Sequence, residues 1–309
     1  MIAALRRGSD PDAAGGPAAA PPPDRRSPVG VFDSGIGGLT VFQALRDRLP
    51  RAERLLYLGD TARVPYGTKS DETVTRYALE GARFLLRRGV KALVVACNTM
   101  SAVALPALRR EVSVPVVGVI GPGAEAACRA SRNGIIGVIG TATTIRSAAY
   151  TRTIAGHLPA ARVLSQACPL FVPLAEEGWV DNDVARATAR AYLVDLKAAG
   201  IDTLVLGCTH YPLLKKVIGE VMGEAVRLVD SAEATAGVVR ERLGERGLLA
   251  ADPVAPAGGA GAASGEGRAA GGAGDDHFFV TDSSDRFREV GSRFLGGPLE
   301  RLEQIDIQG

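Results

Sequence analysis

Two cysteines of the 309-residue chain stand in matching surroundings. Cys97 follows the apolar run 92–96 (ALVVA) and precedes Asn98, Thr99 and a helical pattern. Cys208 follows 203–207 (TLVLG) and precedes Thr209, His210, Tyr211 and Pro212, with the proline well placed for a first helical turn. Each thiol therefore sits at the carboxyl end of a predicted parallel strand, where open α/β sheets bind ligands. The N–H groups and dipole of the next helix favour an anion there. That field is expected to lower a thiol from about 8.5 and raise its thiolate fraction near neutral pH. Both protonation states of a thiol lie within a few units of neutral pH, so such residues can pass protons.

The other two cysteines read differently. Cys128 and Cys168 lack the paired strand–Cys–polar–helix context and read as small buried hydrophobes, with Cys168 close to a strand end. None of the four forms a C-x-x-C pair, so zinc and redox readings start weak. Small polar residues recur at the other strand ends: Asp33-Ser34, Asp60-Thr61, and Thr141 with Thr143 and Thr144. Singly they read as helix caps; together they suit a small zwitterion with carboxylates to hold.

Several sharper motifs fail. Phe32-Asp33-Ser34-Gly35 looks like an aspartic-protease turn, but the second acidic turn, Asp60-Thr61, runs into Ala62. Gly35-Ile36-Gly37-Gly38 has Thr40 where a dinucleotide fingerprint needs its third glycine. In Gly67-Thr68-Lys69-Ser70, Thr68 separates the glycine and lysine of a P-loop. His157 and His277 have no ligand-spaced neighbours, so no metal site is expected.

The elements that must carry these residues are legible from hydrophobic patterning. Strand-like runs occupy 29–33, 55–59, 92–96, 115–119, 135–139, 161–166, 203–207, 226–229 and 277–281. Helical patterns such as 71–88, 183–199 and 232–246 lie between them. This alternation predicts an α/β fold with mostly parallel sheets buried on both faces. Pro106 is awkward for a helix starting near Thr99 and implies either a kink or a later start. Two internal echoes, 30–43 with 137–150 and 92–108 with 203–217, point to a duplicated unit with one cysteine per half. Residues 1–27 and 251–276 have compositions that do not bury enough apolar surface to order, and are set aside as tail and insertion.

Composition narrows the function classes. A formal net charge of +2 shows no bias toward nucleic acid or anionic membrane, and no apolar run reaches membrane-spanning length. The first residues lack the apolar core of a secretory signal, so the expected location is cytoplasmic, with free thiols. Lysine is scarce, at 69, 91, 197, 215 and 216, which matters because a pyridoxal enzyme must supply a Schiff-base lysine.

Five segments together resemble the glutamate racemases of the aspartate/glutamate racemase superfamily. They are VFDSGIGGLT (31–40), GDTARVPYG (59–67), ACNTMSA (96–102), ACPLFVPLAEEG (167–178) and GCTHYPLL (207–214). The resemblance implies two similar α/β domains with the active site in the cleft between them: 28–123 plus 237–309, and 124–236. It implies that Cys97 and Cys208 are proton acceptor and donor on opposite faces of the substrate, Cys208 acting on L-glutamate and Cys97 on D-glutamate. Asp33, Glu176 and His210 would assist the thiols, and Ala175 stands where the family usually has Val. Substrate contacts would fall on Asp33, Ser34, Pro65, Tyr66, Asn98, Thr99, Thr209 and His210. No cofactor or metal is implied. The implied role is D-glutamate supply for bacterial peptidoglycan, and the expected partners are L- or D-glutamate and a second copy in a homodimer, with no nucleic acid and no membrane. The alternatives are an aspartate racemase, another two-cysteine racemase or decarboxylase of the superfamily, or a non-catalytic relative that binds an acidic ligand or a protein.

Overall fold

A strand apolar on both faces is stable only with cover on both sides, and the apolar runs of this chain receive it. The computed structural model describes residues 23–251 and 276–307. Strands β1 (Val29–Asp33), β2 (Leu55–Gly59), β3 (Ala92–Val95) and β4 (Val116–Gly118) come first. They are followed by β5 (Ile135–Gly140), β6 (Arg162–Ala167), β7 (Thr203–Gly207) and β8 (Arg227–Asp230), then β9 (His277–Val280) and β10 (Leu302–Gln304). The helices are α1 (Leu39–Arg48), α2 (Asp71–Leu86), α3 (Asn98–Val103), α4 (Leu105–Glu111), α5 (Ile120–Ala130) and α6 (Ala142–Arg146). Beyond them lie α7 (Ala149–His157), α8 (Phe171–Glu176), α9 (Asp183–Ala198), α10 (Lys215–Met222), α11 (Ser231–Glu245) and α12 (Ser284–Leu295). Among the described residues no helix is long and apolar enough to cross a membrane.

The strands form two sheets, ordered β10-β9-β2-β1-β3-β4 and β6-β5-β7-β8. Every pairing is parallel. The order β2-β1-β3-β4 repeats as β6-β5-β7-β8, so the two sequence echoes fall on corresponding strands. Cys97 after β3 and Cys208 after β7 therefore occupy equivalent positions in two similarly wound sheets. The fold is α/β, as expected.

Side-chain alternation sends neighbouring strand residues into different cores. On β1, Val29 and Val31 join Leu39, Phe42, Val239 and Phe287, whereas Phe32 joins Val74, Leu85, Met100 and Leu108. On β7, Leu204 and Leu206 pack with Leu193 and Val217, whereas Val205 packs with Ala124 and Ile154. Each sheet is thus covered on both faces. Helix α11 packs on both α1 and α5 and so joins the two halves.

Local signals end the helices where the spacing implied. Ser70 accepts the Thr73 N–H and caps α2, which opens with Asp71 and Glu72. Asn182 caps α9 through the Ala185 N–H. At Pro106 the helix is interrupted: α3 stops at Val103, and α4 starts afresh with the proline in its first turn, where its missing N–H matters least.

Most of the segments set aside at 1–27 and 251–276 lies outside the described residues. Their edges extend the ordered chain slightly further than composition implied. Asp24 and Ser27 close a turn, Arg25 Nε donates to Gly247 O at 2.6 Å, and Asp276 accepts the Leu55 N–H at 3.0 Å. Hydrogen bonds to the folded body, which composition does not register, hold these few residues.

Candidate active site

Between the two sheets, at the carboxyl ends of β1, β3, β5 and β7, lies a cavity of about 250 Å³. Cys97 lines it from the six-stranded half and Cys208 from the four-stranded half. That volume suits a small metabolite more than a drug-sized molecule. Ser34, Pro65, Tyr66, Asn98, Thr99, Glu176, Thr209 and His210 also line it, so ten of the residues singled out from sequence share one cavity once both thiols are counted. Asp33 does not line it; it lies fully buried behind the wall.

The surroundings of the two thiols differ. Cys97 Sγ lies 3.6 Å from Ser34 Oγ. Burial pushes this thiol up to about 12, and the neighbouring charges of Asp33 and Cys208 act in the same direction. The Met100 N–H and the Ser34 hydroxyl oppose that shift and do not overcome it. The expectation that a helix N-terminus would lower Cys97 is therefore corrected. α3 has six residues and a small field, while Cys97 is 5% exposed, so desolvation dominates. Asp33 is itself raised by burial, against the pull of His210 and the turn N–H groups. Its Oδ2 accepts the Gly35 N–H at 3.0 Å, and Oδ1 finds no hydrogen-bond partner among the described residues.

Cys208 Sγ lies 3.9 Å from His210 Nδ1, and His210 Nε2 lies 2.9 Å from Glu176 Oε1. Burial works against the imidazolium, but the bonds to Cys208 and Glu176 outweigh it and raise His210 to about 10. Glu176 is lowered: burial opposes ionisation, and the His210 bond and charge more than compensate. Held between Cys208 and Glu176, His210 keeps its proton at neutral pH.

Other donors surround the cavity. Asn98 and Thr99 open α3 and are 3% and 2% exposed. Thr99 Oγ1 lies 3.0 Å from Thr141 Oγ1, which links α3 to the strand end of β5 in the other half. Pro65 follows a cis peptide bond. Tyr66 meets the cavity with its ring, and its hydroxyl is taken by Asp60. Cys168 is fully buried in the core of the second half, as its sequence context suggested, whereas Cys128 on α5 is only half-buried and not the buried hydrophobe expected. Among the described residues no group of three His, Cys, Asp or Glu side chains is placed to hold a metal ion.

Sequence reasoning missed one whole wall. Ser283, Arg286, Phe287 and Val290, at or on α12, line the cavity, as does Val172 from α8. Arg286 reaches Glu177 at 3.0 Å, Arg293 Nη1 donates to Glu176 O at 3.3 Å, and Phe294 meets the His210 ring edge-on. Nothing in the local sequence shows which sheet edge this helix closes over. Thr141 was among the hydroxyls noted at strand ends; its contact across to Thr99 is a tertiary fact.

A family model described as Asp/Glu/Hydantoin racemase matches residues 39–239. The chain belongs to this family. It is an isomerase of the amino-acid racemase type. It is 55% identical over 280 residues to a glutamate racemase of Geobacter metallireducens, covering 91% of this chain and 97% of the relative. Among solved structures, a glutamate racemase from Bacillus anthracis superposes with a TM-score of 0.81 at 37% identity, covering 91% and 98% of the two chains. One from Francisella tularensis, solved in complex with D-glutamate, has a TM-score of 0.80 at 36% identity, covering 92% and 98%. The racemase fold is thus established along almost the full length of those relatives.

Proposed function

We propose that this racemase interconverts L- and D-glutamate by a two-base mechanism without a cofactor. The observation that carries the reading is the pair of thiols at equivalent strand ends of two similarly wound halves, lining one small cavity. The full-length glutamate racemase relatives supply the substrate.

Racemisation takes a proton from one face of the α-carbon and returns one to the other. Two opposed groups, one thiolate and one thiol, do this directly and exchange roles in reverse. In the L-to-D direction a Cys208 thiolate, flanked by the His210 cation, takes the α-proton. Cys97, pushed up to about 12, keeps its proton at neutral pH and delivers it to the opposite face. Charge that develops on the α-carboxylate needs donors aimed at it, and Ser34, Asn98, Thr99 and Thr209 are in place on the wall. Asp33 acts from behind Cys97, and Glu176 acts through His210. Domain limits of 28–123 with 237–309 and 124–236, a cytoplasmic location, a homodimer and supply of D-glutamate to peptidoglycan belong to the same reading.

Circular dichroism of the purified protein with L-glutamate and no added cofactor tests it. The optical signal is expected to decay to zero as the racemate forms. Cys97→Ser and Cys208→Ser are each expected to slow the decay by about 10²-fold or more. Normal turnover in either variant refutes the two-base scheme.

A further inference from the structure

The two ends of an asparagine amide differ in what they bond: the oxygen accepts and the nitrogen donates. Which end faces a bound carboxylate decides whether the contact attracts or repels. At Asn98, buried on the cavity wall, the oxygen is already committed, because it accepts from the Tyr150 hydroxyl at 2.7 Å. The amide nitrogen is buried and has no partner among the described residues.

Tyr150 comes from the other half. It lies on α7 beside the four-stranded sheet, whereas Asn98 opens α3 behind the six-stranded one. Its ring is 2% exposed and sits in a slot that glycines leave open. A Cβ at Gly207 would come within 3.0 Å of Tyr150 Cε2, besides meeting Ile139 O at 2.6 Å. A Cβ at Gly123 would lie 3.1 Å from Ser231 Cβ and 3.2 Å from the Tyr150 hydroxyl. Gly123 lies within α5, where glycine is less favourable than alanine and no positive φ calls for it. The missing side chain makes room for Tyr150 and Ser231. The Tyr150 hydroxyl places its proton on Asn98 Oδ1, the acceptor in reach.

We propose that Tyr150 is a positioning residue: reaching across from the second half, its hydroxyl fixes the Asn98 amide with the nitrogen presented to the substrate carboxylate. The inference rests on the reading that Asn98 binds substrate. A flipped amide would set its oxygen against a carboxylate, an unfavourable contact in a buried site. Because the bond spans both halves, the donor is oriented only when the two halves are assembled around the cavity.

A double-mutant cycle on kcat/KM for L-glutamate tests this, with Tyr150→Phe, Asn98→Ala and the double variant. Tyr150→Phe keeps the ring in its slot and removes only the hydroxyl. It is expected to lower kcat/KM by about tenfold, mostly in kcat, since the carboxylate gains charge in the transition state. Asn98→Ala is expected to lose about 10²-fold, and the double variant no more than Asn98→Ala alone. Losses that multiply in the double variant overturn the proposal, because a merely structural tyrosine would act independently of the amide. Unchanged kcat/KM in Tyr150→Phe also overturns it. If Asn98→Ala alone is near wild type, the Asn98 contact falls and the inference with it, while the cysteine variants report separately on the racemase reading.

Discussion

Burial and charge give the two thiols unequal surroundings, although their sequence contexts match. Cys97 is surrounded by apolar groups, a neighbouring carboxylate and one hydroxyl, and holds its proton tightly. Cys208 is paired with a cation that Glu176 in turn holds. The signs follow from the shifts. His210 is raised to about 10, so its ion pair stabilises the fold fully below its ordinary 6.5, and that contribution is lost as pH rises through about 10. Glu176 is lowered, so its contribution is present above its ordinary 4.5 and is lost as pH falls. The pair is intact across the neutral range. Activity is therefore expected to fall on the alkaline side as pH approaches 10 and His210 loses its proton. Glu176→Gln removes the charge that holds the proton, and the alkaline limb of kcat/KM against pH should move down by about one unit or more. An unmoved limb would show that Glu176 does not hold the imidazolium.

At the scale of elements, the glycine run in the turn between β1 and α1 serves close approach. A Cβ at Gly38 would come within 2.4 Å of Asp33 Cβ, and one at Gly37 within 2.4 Å of Thr209 Oγ1 and 2.5 Å of the His210 ring. Gly38 has φ −60°, which any residue adopts, so room and not backbone freedom is the requirement. The turn lets the two halves touch, and Thr40 Oγ1 donates to Thr209 O at 3.0 Å in the same place. Gly37→Ala must push Thr209 and His210 aside, and a displacement near 1 Å is expected to lower kcat by about 10²-fold. Steady-state rates with L-glutamate check this, and wild-type kcat would mean that the close approach is dispensable. Among the described residues, nine of the ten strands were legible as short runs with an apolar centre, β6 least so because Arg162, Ser165 and Gln166 interrupt it. The tenth, Leu302–Gln304, escaped notice because it is a three-residue edge strand with Glu303 and Gln304 exposed.

Across the whole molecule, the end of the six-stranded sheet remote from the cysteines is held by a buried ion pair. Lys91 Nζ lies 2.5 Å from Glu53 Oε1, with both side chains fully buried, just ahead of β3 and β2. Lys91 also donates to Arg25 O at 2.8 Å, and Glu53 accepts the Ala250 N–H at 3.0 Å. One pair thus fastens the residues that follow the N-terminal segment and those that precede the Ala/Gly-rich segment. Lys91→Met leaves the Glu53 charge buried without its partner and is expected to cost about 3–5 kcal/mol of stability. A fall in the urea midpoint at constant slope would report it, and a midpoint equal to wild type would rule out this role. Racemisation by the folded variant should persist, since the substituted residue is at the far end of the sheet.

What the sequence by itself determined were the properties written into contiguous residues. Apolar runs placed the strands, helical patterns filled the intervals between them, two strand–Cys–polar segments marked the candidate chemistry, and five segments together carried the family resemblance. Only the tertiary structure decided that Cys97 is pushed up and not down, that α12 closes the cavity, and that Tyr150 reaches Asn98 from the opposite half. The physical reason is range. Periodicity and capping act over a few bonds and survive in any window of sequence. Desolvation, charge and close approach depend on which distant residues share a volume, and that is settled only when both sheets are packed together.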